Sequence, residues 1–448
     1  MGVEKTVYIL GAGASASANL PTQAGILKKV FSLTRSSFSQ KDLTEDFLSL
    51  EISEASQKLQ SFYTVFDNYR CELGDFIVSN FSTADKGKEY RVAIMQANQI
   101  LEDSAEMRQK KDSVLQRAYQ IVQAINVSLE DLFTIFDNVA AEREHFRLFS
   151  SQKMSEIHNK LKLCIIYTMA FAIIEANDST DYERFSRYLI KQRLSVSQKE
   201  DNLSIITMNW DDVLERTLAR QCEEYNKKLN KGQQRIFPDL CFYDYDFKRS
   251  DNHIPSTHIK ARGNKNIKIL KMHGSLAWLE CPKCGRIFTD YESEIAYEEF
   301  GGAECPCCKT SNEIEAPELR SLIITPTFMK SLDNLNVKNI WHNALIDISE
   351  ADHICFIGYS FPDADFEMRC LLKKAVKDTA DITVVLTETN NPDYYRAILN
   401  DVKCDNDTIN LLLDKMYLPA FRYSSFFGED RVIYKYNGFS RFLDELGV

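Results

Sequence analysis

A chain of 448 residues is long enough for two or three domains, and its formal net charge of -11 excludes bulk electrostatic attraction to nucleic acid or to an acidic membrane surface. A hydrophobic content of 44% with 27% charged side chains is that of a globular protein, and the acidic balance points to small-molecule or protein partners, with no membrane and no direct nucleic-acid binding expected. Twelve cysteines in a chain without a signal-peptide pattern predict a cytoplasmic location, where thiols serve metals rather than disulfides.

The first predicted element is a buried strand, Val7–Leu10, within T-V-Y-I-L-G-A-G-A-S at 6–15. It runs into a turn at Gly11 and Gly13 where a polyanion can approach bare backbone N–H groups, and Ala16 completes a G-x-G-x-x-A spacing. Gly11, Ala12, Gly13 and Ser15 are therefore candidate phosphate-binding residues. A dehydrogenase-type continuation is excluded, because it needs a second strand and an acidic residue about 20 residues further on. Instead Pro21 is followed by an amphipathic run, Ile26, Leu27, Val30, Phe31 and Leu33, and the next acid is Asp42, inside another helical pattern.

From about Ile26 to Ile190 the apolar residues keep a helical period, clearest over 42–66, 101–122 and 157–174. The segment 84–89, A-D-K-G-K-E, is the predicted loop, and Ser128 is predicted to cap a helix with Glu130 and Asp131 in its first turn. The most apolar segment, 164–174, is too short to span a bilayer and predicts a buried helix.

At Leu203 the pattern changes to a short strand, L-S-I-I-T, ending in M-N-W-D-D, where loop chemistry at a strand's carboxyl end suits ligand binding. A helix (213–224), a polar stretch, and a strand (267–272) closing on His273-Gly274-Ser275 follow. Cys281-Pro-Lys-Cys284 and Cys305-Pro-Cys-Cys308 are paired C-x-x-C knuckles, the pattern of one structural zinc held by Cys281, Cys284, Cys305 and Cys308. Cys307 competes with Cys308 for the fourth position, and four thiolates leave no open position for catalysis. Beyond the knuckles come a strand (322–325), a helix (337–349), a strand (351–358) ending in G-Y-S-F, a helix (366–377), a strand (382–386) and a final helix (440–446).

Strands separated by crossovers imply an α/β fold with a doubly wound, mostly parallel Rossmann-like sheet, carrying a large helical insertion and a small zinc ribbon. The expected domains are 1–25 with 200–448 for the sheet, 26–199 for the helical insertion, and 277–316 for the ribbon.

Four strand ends thus carry G-A-G-A-S (11–15), T-M-N-W-D (207–211), K-M-H-G (271–274) and G-Y-S-F-P (358–362), with the knuckles just after the histidine. This set resembles the sirtuin superfamily over 6–24 and roughly 203–389. The resemblance implies that NAD is bound, with Gly11 to Ser15 at its phosphates, Asn209 beside the nicotinamide ribose and His273 as general base. Gly358 and Ser360 fall near phosphates and ribose, and Thr207, Asp211, Gly274 and Tyr359 complete the implied NAD-binding set. Departures are equally specific. N-L-P-T-Q-A-G replaces the G-I-P-D-F-R type segment of protein deacylases, Met208 replaces their usual glutamine, and T-E-T at 387–389 stands where N-x-E is usual. These features, with the helical block, resemble prokaryotic sirtuin-like NAD-hydrolysing effectors of antiphage defence. That resemblance implies a homo-oligomer and, in some systems, a separate ATPase or DNA-translocase subunit.

Cleaving the bond between ribose and nicotinamide needs positioning of the ribose and a nucleophile aligned with it, without a strong acid. His273 has the ordinary affinity to take a proton at neutral pH, and Asn209 can orient water or ribose without adding charge. On this reading His273→Ala and Asn209→Ala each abolish cleavage while sparing fold and binding. The three functional readings are an NAD glycohydrolase, an NAD-dependent protein deacylase, and a non-catalytic NAD or ADP-ribose sensor. At the residue level, Asn209 has a rival role as a helix cap, Asp211 suits a cap or loop support, and Trp210 and Trp278 suit the core as well as a ligand face.

Overall fold

The run Val7, Tyr8, Ile9, Leu10 has no solvent-facing side: all four are buried, so this strand must lie inside a sheet covered on both faces. The computed structural model describes residues 3–38, 52–175, 180–242, 244–247, 263–290, 302–309, 316–330, 332–391 and 419–448. In chain order its strands are β1 Thr6–Leu10, β2 Leu203–Thr207, β3 Ile236–Asp239, β4 Asp244–Asp246, β5 Lys265–Lys271, β6 Gly274–Glu280, β7 Ile287–Thr289, β8 Arg320–Ile323, β9 His353–Ile357, β10 Asp381–Val385 and β11 Val432–Lys435. Two compact units form, one from Met1–Leu20, Ala176–Ile324 and Ser331–Val448, the other from Pro21–Glu175 and Thr325–Lys330.

The first unit holds a seven-stranded sheet in the order β11-β10-β9-β1-β2-β5-β3, with every pairing parallel. The chain winds outward from β1 through β2 to β5, then returns to the other side of β1 with β9 and continues to β10 and β11. The winding therefore reverses between β1 and β9, and such a switch point opens a crevice at the carboxyl ends of the strands. Register makes those ends level: Leu10 lies beside both Thr207 and Ile357, and Thr207 lies beside Lys271. Four loops consequently leave one edge of the sheet together, beginning at Gly11, Met208, Met272 and Gly358.

The opposite edge is closed by charge. The buried Lys5 ammonium meets Asp201 at 2.7 Å, Asp347 at 2.6 Å and Glu350 at 2.8 Å, and Lys268 also meets Asp201 and Asp347. Burial opposes the charge on Lys5, but the hydrogen bonds it donates to the three carboxylates outweigh it and hold the ammonium protonated. Two lysines bridge this acidic trio, so it is a structural tie between the chain entering β1, the chain entering β2 and the helix Leu335–Glu350.

A second sheet, β4-β7-β6-β8, stands beside the first in the same unit. Its β6 and β7 run antiparallel and carry the first cysteine knuckle between them, and Trp278 of β6 is fully buried against Phe242 with ring centroids 4.8 Å apart. The rest of the ribbon expected over 277–316 falls partly on 291–301 and 310–315, outside the described residues.

The second unit is helical: Gln23–Ser32, Ile52–Phe81, Ala84–Asn98, Ala105–Gln123, Leu129–Glu142 and Ser151–Glu175. Residues 164–173 are buried on every side of the last helix, as a run apolar except for Thr168 predicts, and no described helix is long and apolar enough to cross a membrane. Arg70 is the polar centre of this unit. Its fully buried guanidinium donates to the carbonyls of Val30 (3.1 Å) and Leu33 (2.6 Å), pairs with Asp67, and lies over the rings of Phe66 and Tyr119. The end of Gln23–Ser32 is fixed in this way to two longer helices. Ser128 caps Leu129–Glu142 by accepting from the Asp131 amide at 3.0 Å.

Three sequence expectations are corrected. Residues 84–89 are not a loop but the first turns of Ala84–Asn98, because Thr83 accepts from the Lys86 amide as N-cap and Asp85 complements the helix dipole. The helix Thr180–Leu194, grouped by periodicity with the helical block, belongs to the sheet-bearing unit, where Phe185 and Tyr188 pack on Tyr8 of β1. The strand β11 and the helix Pro419–Phe427 extend the sheet unit beyond the elements expected from the sequence. Of the pattern expected over 42–66, residues 42–51 lie outside the described residues.

Candidate functional site

The glycines of the first loop are required by another stretch of backbone. A Cβ on Gly11 would lie 2.5 Å from the Tyr359 Cα, one on Gly13 would lie 2.7 Å from the Gly358 oxygen, and one on Gly358 would lie 2.2 Å from the Ala14 nitrogen. Gly358 also adopts φ +60°, which side chains disfavour. The loops after β1 and β9 thus interlock across the switch point, joined by hydrogen bonds from the Gly13 amide to Gly358 O (2.8 Å) and the Gly11 amide to Ile357 O (3.0 Å). Gly11 is the N-cap of the short helix Ala12–Ser15, so Ala12, Gly13 and Ser15 stand in its single turn.

Ser15 is the hub of a buried polar network. Its hydroxyl donates to Asp211 Oδ2 at 2.9 Å, so its lone pairs accept from the Asn209 amide (3.0 Å) and the Tyr182 hydroxyl (2.9 Å). The same Asn209 amide donates to Gly11 O at 3.0 Å, and its backbone N–H donates to Thr207 Oγ1 at 3.1 Å. Asn209 therefore does not cap the following helix. Asp212 is the N-cap of Val213–Lys227, and Asp211 accepts weakly from the Val213 amide at 3.4 Å. Burial pushes the Tyr182 phenol well up, with the Asp211 charge acting in the same direction, so it stays a neutral donor.

His273 follows β5, with its backbone oxygen accepting from the Ile324 amide at 2.9 Å. Its Nε2 lies 3.4 Å from Asp365 Oδ1, and Asp365 Oδ2 accepts from the Tyr359 hydroxyl at 2.7 Å. All three side chains are buried. Two residues before His273, Lys271 makes a fully buried pair with Glu215 and donates to Asp211 O at 2.6 Å, linking the β5 end to the Asn209 loop. Burial raises the Glu215 carboxyl to about 7 against the opposing Lys271 charge, while Asp212 and Asp211 raise it further.

Most of the sequence-predicted residues fall into two groups. Gly11, Ala12, Gly13, Ser15, Thr207, Asn209 and Asp211 form one hydrogen-bonded patch, and Gly358 is locked against it. His273 and Tyr359 meet instead through Asp365. Gly274 serves strand pairing: at φ +74° it faces β8, where a Cβ would lie 2.0 Å from Leu322 O. The Ser360 side chain is exposed while its carbonyl accepts from Arg422 at 3.1 Å. Trp210 and Trp278 are core residues, Trp210 donating to Ile324 O at 3.1 Å.

Asp365 and Tyr182 are absent from the sequence-predicted set. Asp365 stands just before the helix Phe366–Ala375 and looks like an ordinary cap, yet its side chain makes no capping bond. Tyr182 carries no local signal, since it sits in a plain helical period and reaches Ser15 only through the tertiary fold.

The four expected zinc ligands converge, with their sulfurs within 4.8 Å of one another. Cys281 and Cys308 are 3.8 Å apart, as are Cys284 and Cys305, matching the edge of a tetrahedron with metal–sulfur bonds of about 2.3 Å. The Cys284 amide points at Cys281 Sγ (3.4 Å), and Gly285 turns the knuckle at φ +67°. Cys308 thus completes the four-sulfur cluster, and Cys307 faces Arg286 instead. The donor set fits a structural zinc.

Comparison with known proteins finds one matching family. Residues 203–404 match the family described as a SIR2-like domain, a span that includes the Asn209, His273, cysteine and Gly358 motifs. Solved structures with similarity include a Sir2 homologue–NAD complex, at 13% identity over 87% of this chain and 78% of that chain with a TM-score of 0.30. Another is Sir2Tm bound to a propionylated peptide, at 12% identity over 86% of this chain and 81% of that chain with a TM-score of 0.31. No curated protein matches the sequence. The similarity to the SIR2-like domain family thus covers residues 203–404, a little under half of this chain.

Proposed function

We propose that the protein is an NAD glycohydrolase, converting NAD and water to nicotinamide, ADP-ribose and a proton. The observation that carries this reading is the delivery of Asn209 and His273, both buried, to one edge of the parallel sheet beside the interlocked glycine loops. Phosphates are held beside the turn of Gly11 to Ser15, where small residues leave room for a polyanion to approach, although the Gly11 and Gly13 amides already donate to Ile357 O and Gly358 O. As the bond between C1′ and nicotinamide breaks, positive charge grows on the ribose and the leaving group becomes neutral. Asn209 spends its N–H groups on Gly11 and Ser15, so its side-chain oxygen is the group that meets ribose or water. His273 accepts the proton released as water adds to C1′. Zinc takes no part in these steps and holds the ribbon.

The departures from protein deacylases after the glycine loop and at Met208 support hydrolysis over deacylation. Purified protein incubated with NAD, with and without an acylated peptide, separates the readings. Nicotinamide release without peptide supports the glycohydrolase, peptide-dependent release would replace it with a deacylase, and binding without turnover under every activating condition would leave a sensor.

The biological setting is part of the same proposal: an antiphage effector that depletes cellular NAD, acting as a homo-oligomer beside a separate ATPase or DNA-translocase subunit. The size of the helical unit supports a role in assembly, since a simple crossover needs only one helix. Light scattering that finds only monomers, with full activity after deletion of that unit, would remove this part of the proposal.

A further inference from the structure

We propose that Asp365 is a positioning residue for His273: it holds Nε2–H, fixes the tautomer and orientation of the ring, and leaves Nδ1 as the atom that takes the proton. The proposal deepens the NAD-cleavage reading and rests on it for its kinetic consequence. Its geometric basis is independent. Asp365 Oδ1 lies 3.4 Å from His273 Nε2, an ion-pair distance that a small ring rotation would have to convert into a hydrogen bond, and both residues are buried. A carboxylate removed from water needs partners, and the Tyr359 hydroxyl supplies one to Oδ2 at 2.7 Å. Standing at the N-cap of Phe366–Ala375 while making no side-chain cap, Asp365 faces His273 rather than its own helix.

The surroundings hold this pair in place. Tyr359 stacks on Phe356, with ring centroids 6.4 Å apart, and its carbonyl accepts from the Tyr423 hydroxyl at 2.9 Å. Phe361, at φ +54°, is a bulky residue in the left-handed region, a conformation that persists only where surrounding packing imposes it. Phe361 lies 4.9 Å from the rings of both Tyr423 and Phe426. The helix Pro419–Phe427 thus braces the loop that carries Tyr359 and Asp365. Nearby cations have other anionic partners: Arg369 pairs with Asp363, and Lys271 with Glu215. A histidine beside a carboxylate binds its proton more tightly, and the nitrogen facing the carboxylate keeps its hydrogen in the neutral ring.

The test uses the full chain labelled with ¹⁵N-histidine, with His273→Gln to assign the signal, titrated without NAD. The wild type should show His273 protonated on Nε2 when neutral. Asp365→Asn should lower its pKa by about one unit or more and disturb that tautomer, with Asp365→Glu restoring part of both. Nicotinamide release should fall about 10²- to 10⁴-fold in kcat for Asp365→Asn with KM little changed, as when an orienting acid is removed from a catalytic histidine. If Asp365→Asn does not fold, Tyr359→Phe tests the same pair: loss of its donor makes the carboxylate more basic and should move the His273 titration upward. An unchanged His273 titration and tautomer in the variants would overturn the proposal. A wild type that never cleaves NAD yet shows the coupled titration would sink the glycohydrolase reading while upholding the pair.

Discussion

The side-chain amide of Asn209 donates to the carbonyl oxygen of Gly11 at 3.0 Å, fastening the loop after β2 to the loop after β1. This changes what the sequence alone predicts for Asn209→Ala. The substitution leaves a buried carbonyl and the Ser15 hydroxyl short of a donor, at a cost of about 1–3 kcal/mol, and loosens the turn that holds phosphates. Asn209→Ala is expected to lower both nicotinamide release and calorimetric NAD affinity, with a lower thermal midpoint. His273→Ala is expected to lose release by about 10²- to 10⁴-fold while keeping affinity. Equal NAD affinity in the two variants would contradict the structural role given to Asn209.

Gly358 tests the interlock between the two loops. Its φ of +60° alone costs an alanine about 1 kcal/mol, and the added Cβ would also meet the Ala14 nitrogen at 2.2 Å. Gly447, at φ +75° in the turn that ends the last helix, has open space around it, which isolates the conformational part. Gly358→Ala should therefore be destabilised clearly more than Gly447→Ala and should bind NAD weakly. Gly13→Val should behave like Gly358→Ala, because its new side chain meets the Gly358 backbone before any ligand. Similar denaturation midpoints for Gly358→Ala and Gly447→Ala would refute the interlock.

What was legible in the sequence follows from locality. The strand at Val7–Leu10, the paired knuckles and the Ser128 cap are written within a few residues, and they fold as their patterns predict. Proximity created by the sheet is not written locally. Asp365 meets His273, and Tyr182 meets Ser15, only because the winding brings distant strand ends and one helix together. The 84–89 segment shows the same limit on a smaller scale: two lysines, a glycine and two acids suggest a loop, but one threonine cap suffices to start a helix there.

The geometry of the knuckles separates two neighbouring cysteines. Cys308 lies 3.8 Å from Cys281 within the four-sulfur cluster, whereas Cys307 packs beside Arg286. Elemental analysis should find one zinc per chain in the wild type and in Cys307→Ser, and a loss of zinc with aggregation in Cys308→Ser. Structural zinc sites contribute on the order of 10 kcal/mol in small domains, so chelation should unfold the ribbon rather than switch off a chemical step. Retention of a full equivalent of zinc in Cys308→Ser would show that Cys307 is the ligand.

Acid should weaken the helical unit through His158. The ring stacks on Phe136 with centroids 5.5 Å apart and meets Phe133 edge-on at 5.4 Å, and burial, helped by the nearby Lys162 charge, lowers its pKa to about 4. Above pH 6.5 the ring is neutral in folded and unfolded chains alike, and its packing contributes fully. As pH falls below 6.5 the unfolded chain binds a proton that the folded chain refuses until about pH 4, so stability is lost across that window. Between pH 7 and 5 the loss should be about 2 kcal/mol from this residue alone. Carboxylates with ordinary affinities titrate mostly below this range, and His158→Phe, which preserves ring packing, removes the histidine contribution. Urea denaturation followed by circular dichroism at both pH values should show the wild type losing about 2 kcal/mol more than His158→Phe, and equal losses would show that His158 is not held neutral.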